Sequence, residues 1–264
     1  MDGIDATVAH PARRYNYWLG GKDNFAADRA SGDMIEAHFP HVRIGALANR
    51  ALLRRATRYL AAEAGIRQFL DIGTGLPTAD NTHEVAQAID PASRIVYVDN
   101  DPLVMVHARA LLTTSPQGCT SYLEADLRDP GRILAHPALR DTLDLDRPVA
   151  LMLIAVLHFV PGDGAAQPLV AELLDALPAG SHLVATHATS DFGTPEEQAR
   201  YREMVEQGRS DVWTRSHAEV TALFDGLELV EPGVVAAHRW RPDAGEPDYT
   251  DQQVNVWAGV GRKP

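Results

Sequence analysis

Short runs rich in Val, Ile and Leu alternate with helix-forming segments from residue 67 to the end of the chain. Strands that alternate with helices favour βαβ units, in which neighbouring strands run parallel and helices cover the sheet. The run Val149–Val156 is apolar throughout, as expected for a strand buried on both faces. The sequence therefore predicts an α/β fold with a mostly parallel sheet. The predicted strands are Gln68–Ile72, Arg94–Asp99, Ser121–Ala125, Val149–Val156, Ser181–His187, Leu227–Val230 and Val254–Val260.

The last two predicted strands follow a different pattern from the others. A loop rich in Pro, Arg and Trp, Pro232–Pro247, separates them, and the final strand alternates apolar residues with period two. An antiparallel pair can be joined without a helical crossover. We therefore expect an antiparallel hairpin at the edge of the sheet.

Helix boundaries are marked by capping residues. Thr194 precedes a proline and two glutamates, and Ser216 forms a capping box with Glu219, so a helix is expected to begin after each. The other predicted helices are Val42–Ala64, Thr82–Ile89, Pro102–Leu112 and Gln167–Leu177.

The first 41 residues differ from the rest in being polar, aromatic and rich in turn-forming residues. Tyr15, Tyr17, Trp18 and Phe25 lie close together there. We expect residues 1–41 to form a lid or cap segment and residues 42–264 to form one domain.

Charge limits the classes of partner. The chain has 24 Lys and Arg against 36 Asp and Glu, a net charge of −12, which disfavours nucleic acids and anionic membrane surfaces. The longest apolar stretch, Val149–Val160, is too short to span a bilayer. The single cysteine, Cys119, cannot form an internal disulfide, which fits a reducing compartment. We expect a cytoplasmic protein with neither a nucleic-acid nor a membrane partner.

A glycine turn follows the first predicted strand in the segment Phe69–Thr78. Gly73 and Gly75 let the backbone approach a ligand without a Cβ clash, although a plain tight turn would also explain them. The dinucleotide fingerprint needs a third glycine where Thr78 stands. A ligand without a pyrophosphate therefore fits this turn better.

Acidic residues follow the next two strands as well. Asp99 lies 24 residues after Gly75 and can accept hydrogen bonds from both ribose hydroxyls of a nucleoside. Asp126 can accept from an adenine amino group, while the next backbone N–H, that of Leu127, meets a ring nitrogen. Taken singly, an acid in such a loop also fits a role in capping a turn. Three acids at adjacent strand ends favour one pocket, for either a nicotinamide cofactor or an adenosyl sulfonium. The candidate cofactor-binding residues of this group are Asp71, Gly73, Thr74, Gly75, Asp99, Asn100, Asp126 and Leu127.

Together, Asp71-x-Gly73-x-Gly75, Asp99 and Asp126 resemble the binding motifs of class I S-adenosylmethionine-dependent methyltransferases. The resemblance covers the chain from about Arg67 to the C-terminus. It implies a Rossmann-like fold with a seven-stranded, mostly parallel sheet whose last strand is antiparallel. It also implies that S-adenosylmethionine is the cofactor, with Asp71 near its amino-acid end.

A narrower resemblance begins at the segment Pro11–Arg29. That segment is similar to the opening signature of a bacterial family of S-adenosyl methyltransferases long of unknown function. Gly73–Thr78, Asn81–Glu84 and Leu157–Pro161 also resemble this family's pattern. The resemblance implies cofactor binding and supplies no substrate.

The opening segment is a candidate lid over the cofactor. The rings of Tyr15, Tyr17 or Trp18 could shield a cationic sulfonium, and Lys22 or Arg29 could pair with the cofactor's carboxylate. A solvated segment packed on the helix from Val42 is the alternative. The candidate cofactor-binding residues of the lid are Tyr17, Lys22, Asn24 and Arg29.

His158 follows the fourth predicted strand, next to the position of the transferred methyl group in this fold. It is the candidate catalytic residue, as a general base, although a structural histidine at a strand end is an alternative. His187 is a weaker candidate. The eleven histidines show no metal-binding spacing, so no metal is expected.

These features predict an S-adenosylmethionine-dependent methyltransferase whose methyl acceptor is a small molecule. Two alternatives remain open from the sequence. One is a non-catalytic protein that binds S-adenosylmethionine or S-adenosylhomocysteine. The other is an NAD(P)-dependent oxidoreductase, which the missing third glycine disfavours.

Overall fold

The computed structural model describes residues 4–111 and 115–264, without the side chains of 108–111. A mixed sheet with helices on both faces forms its centre, as predicted. The strands are β1 (Gln68–Ile72), β2 (Arg94–Asp99), β3 (Cys119–Glu124), β4 (Ala150–Leu153), β5 (His182–Ala188), β6 (Glu228–Leu229), β7 (Val235–Ala236) and β8 (Val256–Arg262). The helices are α1 (Pro11–Trp18), α2 (Ala26–His38), α3 (Val42–Ala62), α4 (Thr82–Ile89), α5 (Pro102–Leu111), α6 (Pro130–Ala135), α7 (Pro137–Thr142), α8 (Ala166–Asp175), α9 (Pro195–Glu206), α10 (His217–Thr221) and α11 (Asp251–Val254).

The strand order is β3-β2-β1-β4-β5-β8-β6, with β7 also paired to β8. Strands β1 to β5 are parallel, with register pairs such as Asp71 opposite Tyr97 and Met152. After β3 the chain crosses to β4 on the other side of β1, so the strand order changes direction between β1 and β4. Ligands in such sheets bind at this switch point, beyond the carboxyl ends of the strands.

The final strands differ from the prediction in number and position. The structure has eight strands among the described residues rather than seven, because β7 forms within the segment Pro232–Pro247 that was expected to be a loop. Strand β6 lies within the expected sixth strand, and β6 and β7 pair with different parts of β8. Pro232 lies between them and has no N–H to donate to a ladder. The last strand is antiparallel, as predicted, but it lies between β5 and β6 rather than at the sheet edge.

Other boundaries shift by a few residues. Strand β4 ends at Leu153 rather than Val156, since Ala155 has a left-handed φ of 54° that breaks the ladder. The predicted capping box at Ser216 is present, and the predicted cap at Thr194 also forms a capping box, with Glu197. The end of the third predicted helix, at Leu112, lies outside the described residues.

Apolar side chains bury both faces of the sheet. Leu70 and Ile72 of β1 point into one cluster, which includes residues of α8. Phe69 points to the other face, where α3 contributes Leu52 and Leu60. In the described part of the chain, no helix has the length and apolarity needed to cross a bilayer.

A buried ion pair attaches the N-terminal helices to the sheet domain. The Arg13 guanidinium of α1 donates from Nε and Nη2 to the two carboxylate oxygens of Asp101, each at 2.8 Å. Asp101 also caps α5 by accepting from the backbone N–H of Leu103 at 3.0 Å. Helix α1 is thus fixed to the start of α5, close to the end of β2.

Candidate functional site

A cavity of about 670 Å³ opens at the carboxyl ends of the parallel strands. Its size lies within the range of about 300–1,000 Å³ typical of small-molecule sites. The cavity extends from the turn after β1 to the N-terminal helices and α9. The sequence-predicted residues that line it are Asp71, Gly73, Thr74, Gly75, Asp99, Asn100, Asp126, Leu127 and His158.

The turn after β1 depends on its two glycines for different reasons. Both are left-handed, with φ of 75° at Gly73 and 69° at Gly75. A Cβ at Gly73 would collide with the side chain of Val156, in the turn after β4. A Cβ at Gly75 would meet no atom within 4 Å. Gly73 is therefore required by packing, whereas Gly75 leaves free space.

We expect Gly73→Ala to destabilise the fold by about 2 kcal/mol more than Gly75→Ala, measured by urea unfolding. Both variants carry the strain of a left-handed alanine, but only the first overpacks the turn against Val156. The double variant Gly73→Ala/Val156→Ala should regain part of the difference. Equal destabilisation by the two single variants would contradict this assignment.

Asp99 is a buried carboxylate at the end of β2. Its oxygens accept hydrogen bonds from the backbone N–H groups of Gly75 and Asp101, at 2.8 and 2.9 Å. Burial raises the pKa of Asp99, and these two hydrogen bonds oppose that shift. Each oxygen has a second lone pair, so the carboxylate can still accept from a ligand.

Asp71 lies at the other side of the glycine turn, also buried. It accepts a hydrogen bond of 2.6 Å from the Thr82 hydroxyl, at the first residue of α4. Burial raises the pKa of Asp71 to about 6, against the opposing effects of this hydrogen bond and the charge of Arg50. A buried carboxyl group that lines a cavity and has a raised pKa is a candidate functional residue.

Asp126, beyond β3, is in a more polar environment. Arg128 donates to it from Nε at 2.9 Å, and the Asn100 side chain donates at 3.1 Å. The Arg128 hydrogen bonds are the largest cause that lowers the pKa of Asp126 to about 2. The carboxylate therefore remains ionised near neutral pH.

Four candidate cofactor-binding residues of the lid lie outside the cavity. Tyr17, Lys22, Asn24 and Arg29 do not line the cavity. Tyr17 donates to Asp33 at 2.7 Å, while Asn24 and Arg29 bind each other and the turn after α1.

Asn16 explains this placement, because its side-chain oxygen accepts from the backbone N–H of Asp23 and from the side chain of Asn24, at 3.1 and 2.9 Å. The glycine and asparagine positions of the opening signature therefore form the turn between α1 and α2.

A different face of α1 lines the cavity. Pro11, Arg14, Tyr15 and Trp18 are spaced at i, i+3, i+4 and i+7 and lie on one side of the helix. Tyr15 and Trp18 were candidates for shielding the cofactor, whereas Arg14 was missed. Helical spacing within the signature was the signal that could have identified Arg14.

His158 lies in a short 3-10 turn, Leu157–Phe159, directly after β4. Its ring packs edge-on against Phe159 and His187, at centroid distances of 4.4 and 5.8 Å. Neither ring nitrogen has a hydrogen-bond partner among the described residues. Burial lowers the pKa of His158 well below its usual value, and the charges of His187, Arg14 and Arg215 add to this effect. The imidazole is therefore neutral.

Arg215 fixes this turn, a role that sequence reasoning missed. Its buried guanidinium donates to the carbonyl oxygens of Leu157, Val160 and Gly162 and contacts His187 Nε2 at 2.7 Å. No local pattern predicts the role, because the partners lie more than 25 residues away in the chain. Within the described segments, no group of three His, Cys, Asp or Glu residues could hold a metal ion.

Comparison with known proteins places the chain in a family. A family model described as S-adenosyl methyltransferase matches residues 1–264. A DUF574 family protein from Streptomyces avermitilis MA-4680 is 48% identical, with a TM-score of 0.92 over 98% of this chain and 99% of its own. A protein from Thermobifida fusca YX, provisionally described as a methyltransferase, is 44% identical, with a TM-score of 0.88 over 99% and 97%.

A more distant structure agrees in fold alone. It is an O-methyltransferase family protein from Burkholderia thailandensis, 16% identical, with a TM-score of 0.51 over 86% of this chain and 62% of its own. No curated protein matches the sequence.

Proposed function

The chain belongs to the S-adenosyl methyltransferase family, and we propose that the acceptor of its methyl group is a small molecule bound in the cavity described above. The observation that carries the proposal is the continuity of this cavity. One space is lined by the strand-end acids, by the neutral His158 and by the aromatic face of α1. Cofactor and acceptor can therefore meet inside it.

The residues present fit S-adenosylmethionine. The open space at Gly75 leaves the backbone of the turn accessible, and the buried Asp99 carboxylate retains acceptor capacity for ribose hydroxyls. When bound, the cofactor supplies an electrophilic methyl group on a cationic sulfur.

Each strand end would hold a different part of the cofactor. Asp71 would attract the amino group of its amino-acid end, with Thr74 beside it. Asp99 would bind the ribose with help from Asn100. For the adenine, Asp126 would accept from the amino group and the Leu127 backbone N–H would meet a ring nitrogen. The proposed cofactor site consists of Asp71, Gly73, Thr74, Gly75, Asp99, Asn100, Asp126 and Leu127.

Residues 1–41 would act as a cap on the domain formed by 42–264. Helix α1 places Tyr15 and Trp18 along the cavity wall and is held there by the Arg13–Asp101 pair. Excluding water strengthens electrostatic interactions in a site. The walls of the cavity would hold the two reactants in line for direct displacement. Tyr17, Lys22, Asn24 and Arg29 have no part in this proposed site.

A small acceptor is favoured over a macromolecule by charge and by enclosure. The net charge of −12 disfavours a nucleic-acid substrate. The cavity is bounded by α1 on one side and by Gln198, Tyr201 and Met204 of α9 on another. A wall formed by two helices suits a compact acceptor. His158 would take a proton from it where methylation requires one.

Isothermal titration calorimetry with S-adenosylmethionine, S-adenosylhomocysteine and NAD tests the cofactor site. We expect both adenosyl ligands to bind and NAD not to bind. Asp99→Ala should weaken adenosyl binding at least tenfold, because it removes charged hydrogen-bond acceptors. The exposed Asp225→Ala serves as the control, with wild-type affinity expected. NAD binding, or no adenosyl binding to the folded wild type, would overturn the proposed site.

A further inference from the structure

We propose that the methyl acceptor is an aromatic molecule with a phenolic hydroxyl, which Arg14 holds by its oxygen and His158 deprotonates. The proposal rests on the proposed function and names the class of acceptor. It concerns the part of the cavity lined by α1, by α9 and by the turn that carries His158. We define this acceptor pocket by Arg14, Tyr15, Trp18, Phe39, His158, Phe159, Tyr201 and Asp211.

Aromatic rings form most of the acceptor pocket, and their polar atoms are already bound within the protein. The Tyr15 hydroxyl donates to the carbonyl of Ala46 at 3.0 Å, and the Tyr201 hydroxyl donates to the carbonyl of Val212 at 2.5 Å. Phe39 packs edge-on against Tyr201 at 5.0 Å. What these residues offer a ligand is therefore ring surface. Such surface favours a flat, apolar molecule, which can stack or pack edge-to-face.

Arg14 brings a positively charged donor to this pocket, and only one of its three nitrogens donates a hydrogen bond to a described residue. The residue is 5% exposed. A single nitrogen, Nη2, contacts both carboxylate oxygens of Asp211, at 2.5 and 2.7 Å. Among the described residues, Nε and Nη1 have no partner, and Nε is buried. A buried guanidinium with unused donors favours a ligand oxygen that carries or develops negative charge.

Arg14 and His158 act at the same place. The segment 211–213 connects the residues of this site: Asp211 accepts from Arg14, and the Val212 carbonyl accepts from the Tyr201 hydroxyl. The next backbone N–H, that of Trp213, donates to the His158 carbonyl at 2.7 Å. The Arg14 charge also lowers the pKa of His158 and opposes the rise that burial causes in the pKa of Tyr201. His158 is 9% exposed, and its buried Nδ1 has no hydrogen-bond partner within the described segments. A neutral imidazole beside a cation can take a proton from a hydroxyl while the cation stabilises the oxygen left behind.

This pairing discriminates between acceptor groups. A carboxylate acceptor is already ionised and would not need the neutral imidazole. An amine presents N–H donors towards the Arg14 donors, and an ammonium would be repelled by the same charge. A phenol satisfies both residues, since it gives up one proton and becomes an anion.

The residues of the pocket and the family's cofactor account for every proton and electron pair in this reaction. His158 takes the hydroxyl proton on a ring nitrogen. The acceptor oxygen forms a bond to the methyl carbon, and the electron pair of the broken carbon–sulfur bond stays on sulfur. The products are an aryl methyl ether, S-adenosylhomocysteine and a proton that His158 returns to solvent.

Three small probes of the same shape test the acceptor class by binding alone: 4-nitrophenol, 4-nitrobenzoate and 4-nitroaniline. Each is titrated into the full-length protein saturated with S-adenosylhomocysteine, and 4-nitrophenol is also followed by its phenolate absorbance. We expect 4-nitrophenol to bind at least tenfold more tightly than the other two and to ionise at a lower pH when bound.

The variants separate the two roles. Arg14→Met should weaken 4-nitrophenol binding at least tenfold, and Arg14→Lys should restore part of it. His158→Gln should keep the binding of 4-nitrophenol but slow its methylation at least tenfold. Arg202→Met, at an exposed arginine on α9, is the matched control and should match the wild type. Retained S-adenosylhomocysteine binding shows that each variant is folded.

Tighter binding of 4-nitrobenzoate or 4-nitroaniline would overturn the proposal, as would equal binding of 4-nitrophenol to wild type and Arg14→Met. If S-adenosylhomocysteine binds but none of the three probes does, the phenolic acceptor is wrong and the cofactor site stands. If S-adenosylhomocysteine itself does not bind, the proposed function fails as well.

Discussion

Arg13→Met is expected to lower the free energy of unfolding by about 3–5 kcal/mol, the usual cost of removing one partner from a buried ion pair. Arg13 is 4% exposed and Asp101 is 0% exposed, measured on their side chains. The substitution would leave the Asp101 carboxylate without its bidentate partner, close to the buried Asp99. Desolvation of an uncompensated charge is the main cost.

Urea unfolding of a double-mutant cycle measures this effect. Asp101→Asn removes the charge but keeps an oxygen that can cap α5, so the double variant Arg13→Met/Asp101→Asn should be more stable than Arg13→Met. Arg29→Met is the control, because Arg29 is exposed and bonds only to Asn24. If Arg13→Met and Arg29→Met unfold at the same urea concentration, the ion pair does not hold the N-terminal helices as described.

Asp71→Asn is expected to stabilise the fold at neutral pH while weakening cofactor binding. The pKa of Asp71 is raised from its ordinary value of 3.8 to about 6 by burial. Between these two values the folded chain retains a proton that the unfolded chain has lost, so wild-type stability falls as pH rises through this window. Above it, the ionised Asp71 costs the folded state about 3 kcal/mol, which the neutral asparagine avoids.

Unfolding at two pH values tests the sign of this effect. The stability of Asp71→Asn minus that of the wild type should increase by about 1–2 kcal/mol between about pH 5 and about pH 8. Calorimetry should show weaker S-adenosylhomocysteine binding to the same variant. If Asp71 serves cofactor binding at the expense of stability, its replacement should make the fold more stable and the binding of S-adenosylhomocysteine weaker.

Asp90 gives a control of opposite sign. Its pKa is lowered, first by a backbone hydrogen bond from Ala92, with Arg67 contributing. Its ionised form therefore stabilises the fold above the unfolded pKa, and this contribution is lost as pH falls. Asp90→Asn should thus destabilise the protein near neutral pH.

One outcome would contradict the role of Asp71. If the difference in stability between Asp71→Asn and the wild type does not change with pH, then burial does not raise the pKa of Asp71.

Local patterns were sufficient for most strands, for the helix caps and for the acids at the strand ends. The runs that became β1, β2 and β5 are rich in apolar residues, the turn with Gly73 needs a left-handed backbone, and Thr194 satisfies free N–H groups at a helix start. Each of these preferences acts over a few neighbouring residues, and the carboxyl ends of parallel strands necessarily converge. The cavity, seven of its polar or glycine residues, Leu127 and His158 could therefore be predicted.

Local patterns did not predict which residues of the N-terminal segment face the cavity. Lys22 and Arg29 have the right charge for a carboxylate, but Lys22 lies on the turn that Asn16 organises, and Arg29 lies in α2 and donates to Asn24 of that turn. Which face of α1 meets the cavity depends on the contact between Arg13 and Asp101, which are 88 residues apart in the chain.

What the sequence by itself determined is the set of local structures: the alternating elements, the glycine turn, the capped helices and the acids that end the strands. The tertiary structure alone decided that β8 enters between β5 and β6, that Arg14 faces the cavity, and that Arg215 holds the turn carrying His158. The physical reason is the range of the forces. Backbone preferences and apolar periodicity act between neighbours in the chain, whereas buried charges and polar groups are placed by partners that only folding brings within hydrogen-bond distance.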